Sequence, residues 1–166
     1  LHDAYSLLFK HYDLTYVTPN ESYTRASDTS DPEDRNVSES EYGQDTFDNI
    51  GEIFNEETNP GRKKPFAIRQ VMEAIADNDS DQLERWKGLR GGETAVVYHS
   101  RLGGQPVCMV GIESKPVKRK DQAPVDGPDS WMSGTLFPQS SYKVSRAINA
   151  SSGVMPVVVV ANLSGF

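Results

Sequence analysis

The chain has 166 residues, 36% of them hydrophobic, and a mean hydropathy of −0.58. That is long enough for one domain with a real core, yet lean in the apolar material a self-sufficient enzyme of this size buries. A formal net charge of −7 argues against nucleic acid, because phosphate neutralisation needs a basic face. A single cysteine, Cys108, excludes a disulfide framework, and the longest apolar stretch, residues 154–161, is too short to span a bilayer. With no leader pattern at its start, the sequence reads as soluble, reduced and cytoplasmic, without a membrane partner.

Taken in chain order, residues 1–16 place Ala4, Leu7, Leu8 and Tyr12 on one helical face, with Asp3 near the start. Residues 18–60 are polar and acidic. Between 26 and 60 there are 11 acids against the single base Arg35, a composition that cannot form a core alone. Phe47, Ile50, Ile53 and Phe54 fit one short helix inside it. The segment is expected to wrap over a neighbouring domain or to link two halves of a larger protein. In residues 65–90, Ala67, Ile68, Val71, Met72, Ala74 and Ile75 recur at helical spacing after Pro65. Leu83, Trp86 and Leu89 fit a short second helix. Domain boundaries fall at 1–64 and 65–166.

The firmest local prediction is a hairpin. Residues 94–98 and 106–112 flank Gly103-Gly104, a pair able to supply the positive φ of a tight turn. Cys108 sits inside this pattern and reads as a small core residue. A nucleophile would want a histidine partner, and His2, His11 and His99 form no motif. Residues 115–131, broken by Pro116, Pro124, Gly127 and Pro128, read as a long loop of the kind that is functional or mobile. Two short basic clusters, 62–64 and 115–120, read either as solvated loops or as attractors of an anionic ligand.

Residues 134–166 read as a small-residue loop, a helix, a tight connection, a buried strand and the start of another loop. The helix rests on Tyr142, Val144, Ala147 and Ile148, with Ser140 or Ser141 as N-cap. Gly153 and Pro156 end it and launch Val157 to Ala161, a β-branched run suited to a strand covered on both faces. Asn162, Leu163, Ser164, Gly165 and Phe166 then follow the carboxyl end of that strand, where open α/β sheets place their ligand sites. Gly134 and Gly165 suit close approach of backbone to a ligand, or simply a turn and a strand end.

The blocks FPQSSYKVSRAI and MPVVVVANLSGF, with YHSRLGGQPVCMVGIE upstream, resemble the C-terminal half of the carboxyltransferase component of biotin-dependent acyl-CoA carboxylases. The likeness is nearest to the single-chain acetyl-CoA carboxylase type, whose pattern is roughly FP-[DN]-S-[AS]-[YF]-K-x-A-x-A-I, a strand, then A-N-W-R-G-F-S-G-G. The hairpin block matches its R-[LA]-G-G-x-P-[VL]-G-[VI]-[IV]-G-[VI]-E. The resemblance is good over residues 65–166 and loose before them. It implies an α/β fold, a partial crotonase-like ββα carboxyltransferase unit preceded by a polar, largely irregular N-terminal segment.

It further implies transfer of a carboxyl group from carboxybiotin to an acyl-CoA through enolates stabilised by backbone N–H groups. Biotin on a carrier domain would be the cofactor. The partners would be an acyl-CoA, the biotin carboxyl carrier and biotin carboxylase domains, the N-terminal carboxyltransferase half and further copies in a homo-oligomer. Catalytic positions carried over are Ser164, Gly165 and Phe166; substrate or biotin-binding positions are Gly134, Phe137, Ser140, Ser141, Lys143 and Asn162. Ser140 reads equally as a cap, and Lys143 as an exposed helix residue. No metal ligand set is expected. The family pattern has Trp-Arg where this sequence has Leu163-Ser164, which moves the expected substrate away from acetyl-CoA. The further oxyanion loop would lie beyond Phe166, so the fragment alone is expected to be inactive. The competing reading is a non-catalytic scaffold with the same ββα unit. A plain enoyl-CoA hydratase lacks support, because paired glutamates at a Gly-rich helix start are absent.

Overall fold

The computed structural model describes Ala4, residues 47–78, residues 81–120, Val125 and residues 127–163. The helix expected over residues 1–16 lies outside the described residues apart from Ala4. From residue 47 onward the elements are helix α1 (Ile50–Phe54), a 3-10 turn (Pro60–Arg62), helix α2 (Ile68–Ile75), strands β1 (Leu83–Glu84), β2 (Ala95–Leu102), β3 (Gln105–Ile112), β4 (Val117–Lys118) and β5 (Ser130–Trp131), helix α3 (Pro138–Ser151) and strand β6 (Val157–Val160). The main sheet has the order β1-β2-β3-β6. Strands β1 to β3 are antiparallel neighbours, and β6 runs parallel to β3, pairing Cys108 with Val157 through Gly111 with Val160. Helix α3 is therefore the crossover of a β3–α3–β6 unit, as parallel neighbours require.

Side chains alternate across the sheet, and the two faces collect different partners. Val96, Tyr98, Val107 and Met109 pack with Ile68, Val71 and Met72 of α2 and with Phe47 and Ile53. Val97, Cys108 and Val110 pack with Ala147 and Met155. Phe47 and Ile53 thus draw the end of the acidic segment into the core. Gly111 is the one strand position where α2 demands glycine. A Cβ there would collide with the Met72 sulfur and lie 2.9 Å from Ile68 Cγ1.

The hairpin forms with Gly103 and Gly104 both at positive φ, 59° and 79°, as a type I′ turn requires. Its turn amides donate to the Asp77 carboxylate at 2.6 and 2.7 Å. Four expectations are corrected. Leu83 and Glu84 pair with His99 and Tyr98 as a short strand, and a turn follows with Trp86 at φ 53°, so no second helix forms there. The N-cap of α3 is Phe137, with Pro138 in the first turn, and Ser140 and Ser141 lie inside the helix. Strand β6 lies at the sheet edge among the described residues, leaving Val159 58% exposed, so it is only partly covered. Residues 115–131 are also not wholly irregular, since β4 and β5 pair within them.

Candidate active site

The carboxyl ends of β3 and β6, the amino end of β2 and the first turns of α3 meet at one end of the sheet. Polar groups are buried there at a cost that only hydrogen bonds offset. Glu113, Thr94, Ser114, Ser140 and Lys143 are all buried. Thr94 and Ser140 share a hydroxyl–hydroxyl bond of 2.5 Å, and Lys143 Nζ donates to the Ala95 carbonyl at 2.7 Å. One helical turn of α3 thereby holds Ala95, the first residue of β2, and Thr94 just before it. Glu113 N–H donates to Thr94 O, and Gly134 N–H donates to Glu113 O. Asn162 Nδ2, two residues past β6, donates to Ser114 Oγ at 2.9 Å. The bonds form one chain from β2 across β3 to the loop after β6.

Two acids organise the flanks. Glu113 Oε1 accepts the amides of Ile68 at 2.9 Å and Ser114 at 3.1 Å, and its other oxygen lies 3.5 Å from Arg69 Nη1. Burial pushes its carboxyl up, opposed by those amides and the cation. Arg69 also pairs with Glu84 at 2.6 Å, so one guanidinium ties α2 to β1 and to the residue that follows β3. Glu93 accepts Trp131 Nε1–H at 2.7 Å and the amides of Gly91 and Lys120. Trp131 then lies between Arg119, 3.9 Å from its ring, and Phe137, at 4.4 Å between centroids. Burial lowers the Lys143 ammonium to about 8, with Glu84 partly opposing.

The residues singled out in the sequence that fall among the described ones have definite places. Gly134 turns the chain at φ 61°, with its N–H committed to Glu113 O. Ser140 is fully buried as a link to Thr94, and Lys143 is buried, correcting the alternative of an exposed helix residue. Phe137 packs against Trp131, their ring planes tilted by 45°. Ser141 is exposed. Ser164, Gly165 and Phe166 lie outside the described residues. The network thus joins Gly134, Ser140, Lys143 and Asn162, and it leaves Ser141 and Phe137 outside. Periodicity gave no hint of Thr94, Glu113, Ser114 or Arg69. The one available clue was an acid closing the apolar run of β3 at Glu113.

An antiparallel hairpin followed by a crossover helix and a parallel strand, with polar groups converging at the carboxyl ends, defines an α/β domain of the crotonase-like kind. The sequence matches the carboxyl transferase domain family over residues 13–166, and the chain belongs to that family. Among the described residues no helix is long and apolar enough to cross a membrane.

Proposed function

We propose that this domain serves a biotin-dependent acyl-CoA carboxylase, moving a carboxyl group from carboxybiotin to the α-carbon of an acyl-CoA. The observation that supports the reading most is the junction of Asn162 with Ser114, at the carboxyl ends of the parallel pair β3 and β6. Biotin supplies the carboxyl group in a labile, transferable form. A ureido ring needs one acceptor for its N–H and one donor for its carbonyl. Asn162 Oδ1 and the Ser114 hydroxyl are of that kind, so the residues present fit the group.

The thioester oxygen gains negative charge as the α-carbon gives up its proton, and preorganised backbone N–H groups stabilise such charge best where water is excluded. We assign that donation to the backbone of Ser164, Gly165 and Phe166, which directly follow Asn162 and Leu163 in sequence. Ser140 and Lys143 act on this site indirectly, holding α3 to the amino end of β2. Serine at 164, in place of an arginine, favours an acyl-CoA other than acetyl-CoA. The carrier and biotin carboxylase domains, the other carboxyltransferase half and a homo-oligomeric assembly complete the proposed setting. The full-length protein should decarboxylate malonyl-, methylmalonyl- or ethylmalonyl-CoA only when biotin is present. No biotin-dependent CO₂ release from any of them would contradict the reading.

A further inference from the structure

A cleft of about 220 Å³ opens on the α2 side of the sheet, lined among the described residues by Ile53, Phe54, Phe66, Ile68, Val71 and Val160, with Arg62 and Asn162 as its polar members. It is smaller than the roughly 300–1,000 Å³ that enclose a whole drug-sized ligand, so it takes part of a larger one. Its walls are aliphatic and aromatic, and its one charged lining residue is a cation.

That cation is held on a built turn. Gly61 and Arg62 both adopt left-handed backbone, at φ 63° and 54°. For an arginine this conformation persists only where surrounding contacts impose it. Asn59, fully buried, imposes it from both sides. Its Nδ2 donates to Ile53 O at 2.8 Å, its Oδ1 accepts Lys64 N–H at 2.9 Å, and its carbonyl accepts Arg62 N–H at 2.8 Å. Glu56 accepts the Gly61 amide at 2.8 Å. The neighbouring Lys64 is committed to Thr58 O at 2.6 Å. The Arg62 guanidinium is exposed and has no partner among the described residues.

We propose that this cleft receives the α-carboxylated acyl group. The alkyl chain lies against Phe54, Phe66, Ile68, Val71 and Val160, the carboxylate meets Arg62, and the thioester arm leaves past Asn162. The assignment rests on the carboxyltransferase reading and adds what sets its chain-length preference. An α-carboxyacyl thioester carries three substituents at one carbon, an apolar chain, an anion and a polar thioester. The cleft offers an apolar wall, a guanidinium and a carboxamide. Uncarboxylated acyl-CoA would use only the wall and the carboxamide.

The test uses the full-length protein and titration calorimetry with propionyl-, hexanoyl-, methylmalonyl- and butylmalonyl-CoA, alongside biotin-dependent CO₂ release. Arg62→Gln should weaken methylmalonyl-CoA roughly tenfold and leave propionyl-CoA unchanged, as loss of one charge-assisted contact implies. Phe54 is 50% exposed, so it can be changed without opening the core. Phe54→Trp, narrowing the mouth, should weaken hexanoyl-CoA roughly tenfold relative to propionyl-CoA. Unchanged ratios in both variants of a protein with biotin-dependent release would overturn the cleft and keep the carboxyltransferase reading. Shifted ratios in a protein without such release would keep the cleft and remove that reading.

Discussion

Helices α2 and α3 cover opposite faces of one sheet, and they are held by different chemistry. Helix α2 buries Ile68, Gln70, Val71 and Met72 and sits so close to β3 that only Gly111 fits beneath it. Helix α3 buries Ser140, Lys143, Ala147 and Ser151, while Tyr142 and Ile148 are 56% and 43% exposed. Apolar burial is non-directional and scales with area, whereas a buried polar seam depends on particular partners. The α2 face therefore supplies stability. The α3 face supplies register, fixing the amino end of β2 relative to the loops at the candidate site.

The contrast can be broken most forcefully on the α2 side. Met72→Ala removes a fully buried side chain and should cost about 2–5 kcal/mol, read as a lower urea midpoint. A cost below about 1 kcal/mol would show that α2 is not the stabilising face.

Next is Lys143, whose ammonium is lowered to about 8 in the fold from the ordinary 10.5. Between those values the unfolded chain binds more protons, so stability rises with pH across that window. The rise should total roughly 3 kcal/mol and vanish in Lys143→Met. Urea midpoints of both proteins at pH 7.5, 9 and 10.5 check it, and a constant difference between them would refute the buried-ammonium account.

Ser140→Ala strands the Thr94 hydroxyl and should cost about 1–2 kcal/mol. Its sharper readout is faster amide exchange at Thr94 and Ala95, with the α2 amides unaffected. The smallest effect belongs to Tyr142→Ser on the exposed side of α3, within about 0.5 kcal/mol of wild type. A larger loss would mean that something covers that face.

How much of this could be read in the sequence follows the same division. Gly103-Gly104 announced the hairpin because positive φ is nearly a glycine property. The apolar spacing from Ile68 to Ile75 announced α2 because its inward face is apolar. Spacing misled at Leu83, Trp86 and Leu89, where a strand and a left-handed turn happen to repeat every three residues. It was half right in α3, where Ala147 and Val144 of the expected stripe face the core while Tyr142 and Ile148 are exposed and Ser140 and Lys143 are buried instead. No local pattern marks a lysine that finds a carbonyl 48 residues away, or a Glu113 that caps α2 from 45 residues away. Such partners exist only once the sheet has formed. The site residues that the family resemblance supplied, Ser140, Lys143 and Asn162, came from matched motifs and not from periodicity.

The most direct test of carboxyl transfer at the β3–β6 junction is isotope exchange. The full-length protein is given carboxyl-labelled methylmalonyl-CoA and biotin, and Asn162→Ala is compared with wild type at matched fold stability. The account predicts biotin-dependent label transfer in the wild type and a loss of at least tenfold in the variant, as expected for removing one positioned polar group. Equal rates in the two proteins would contradict it.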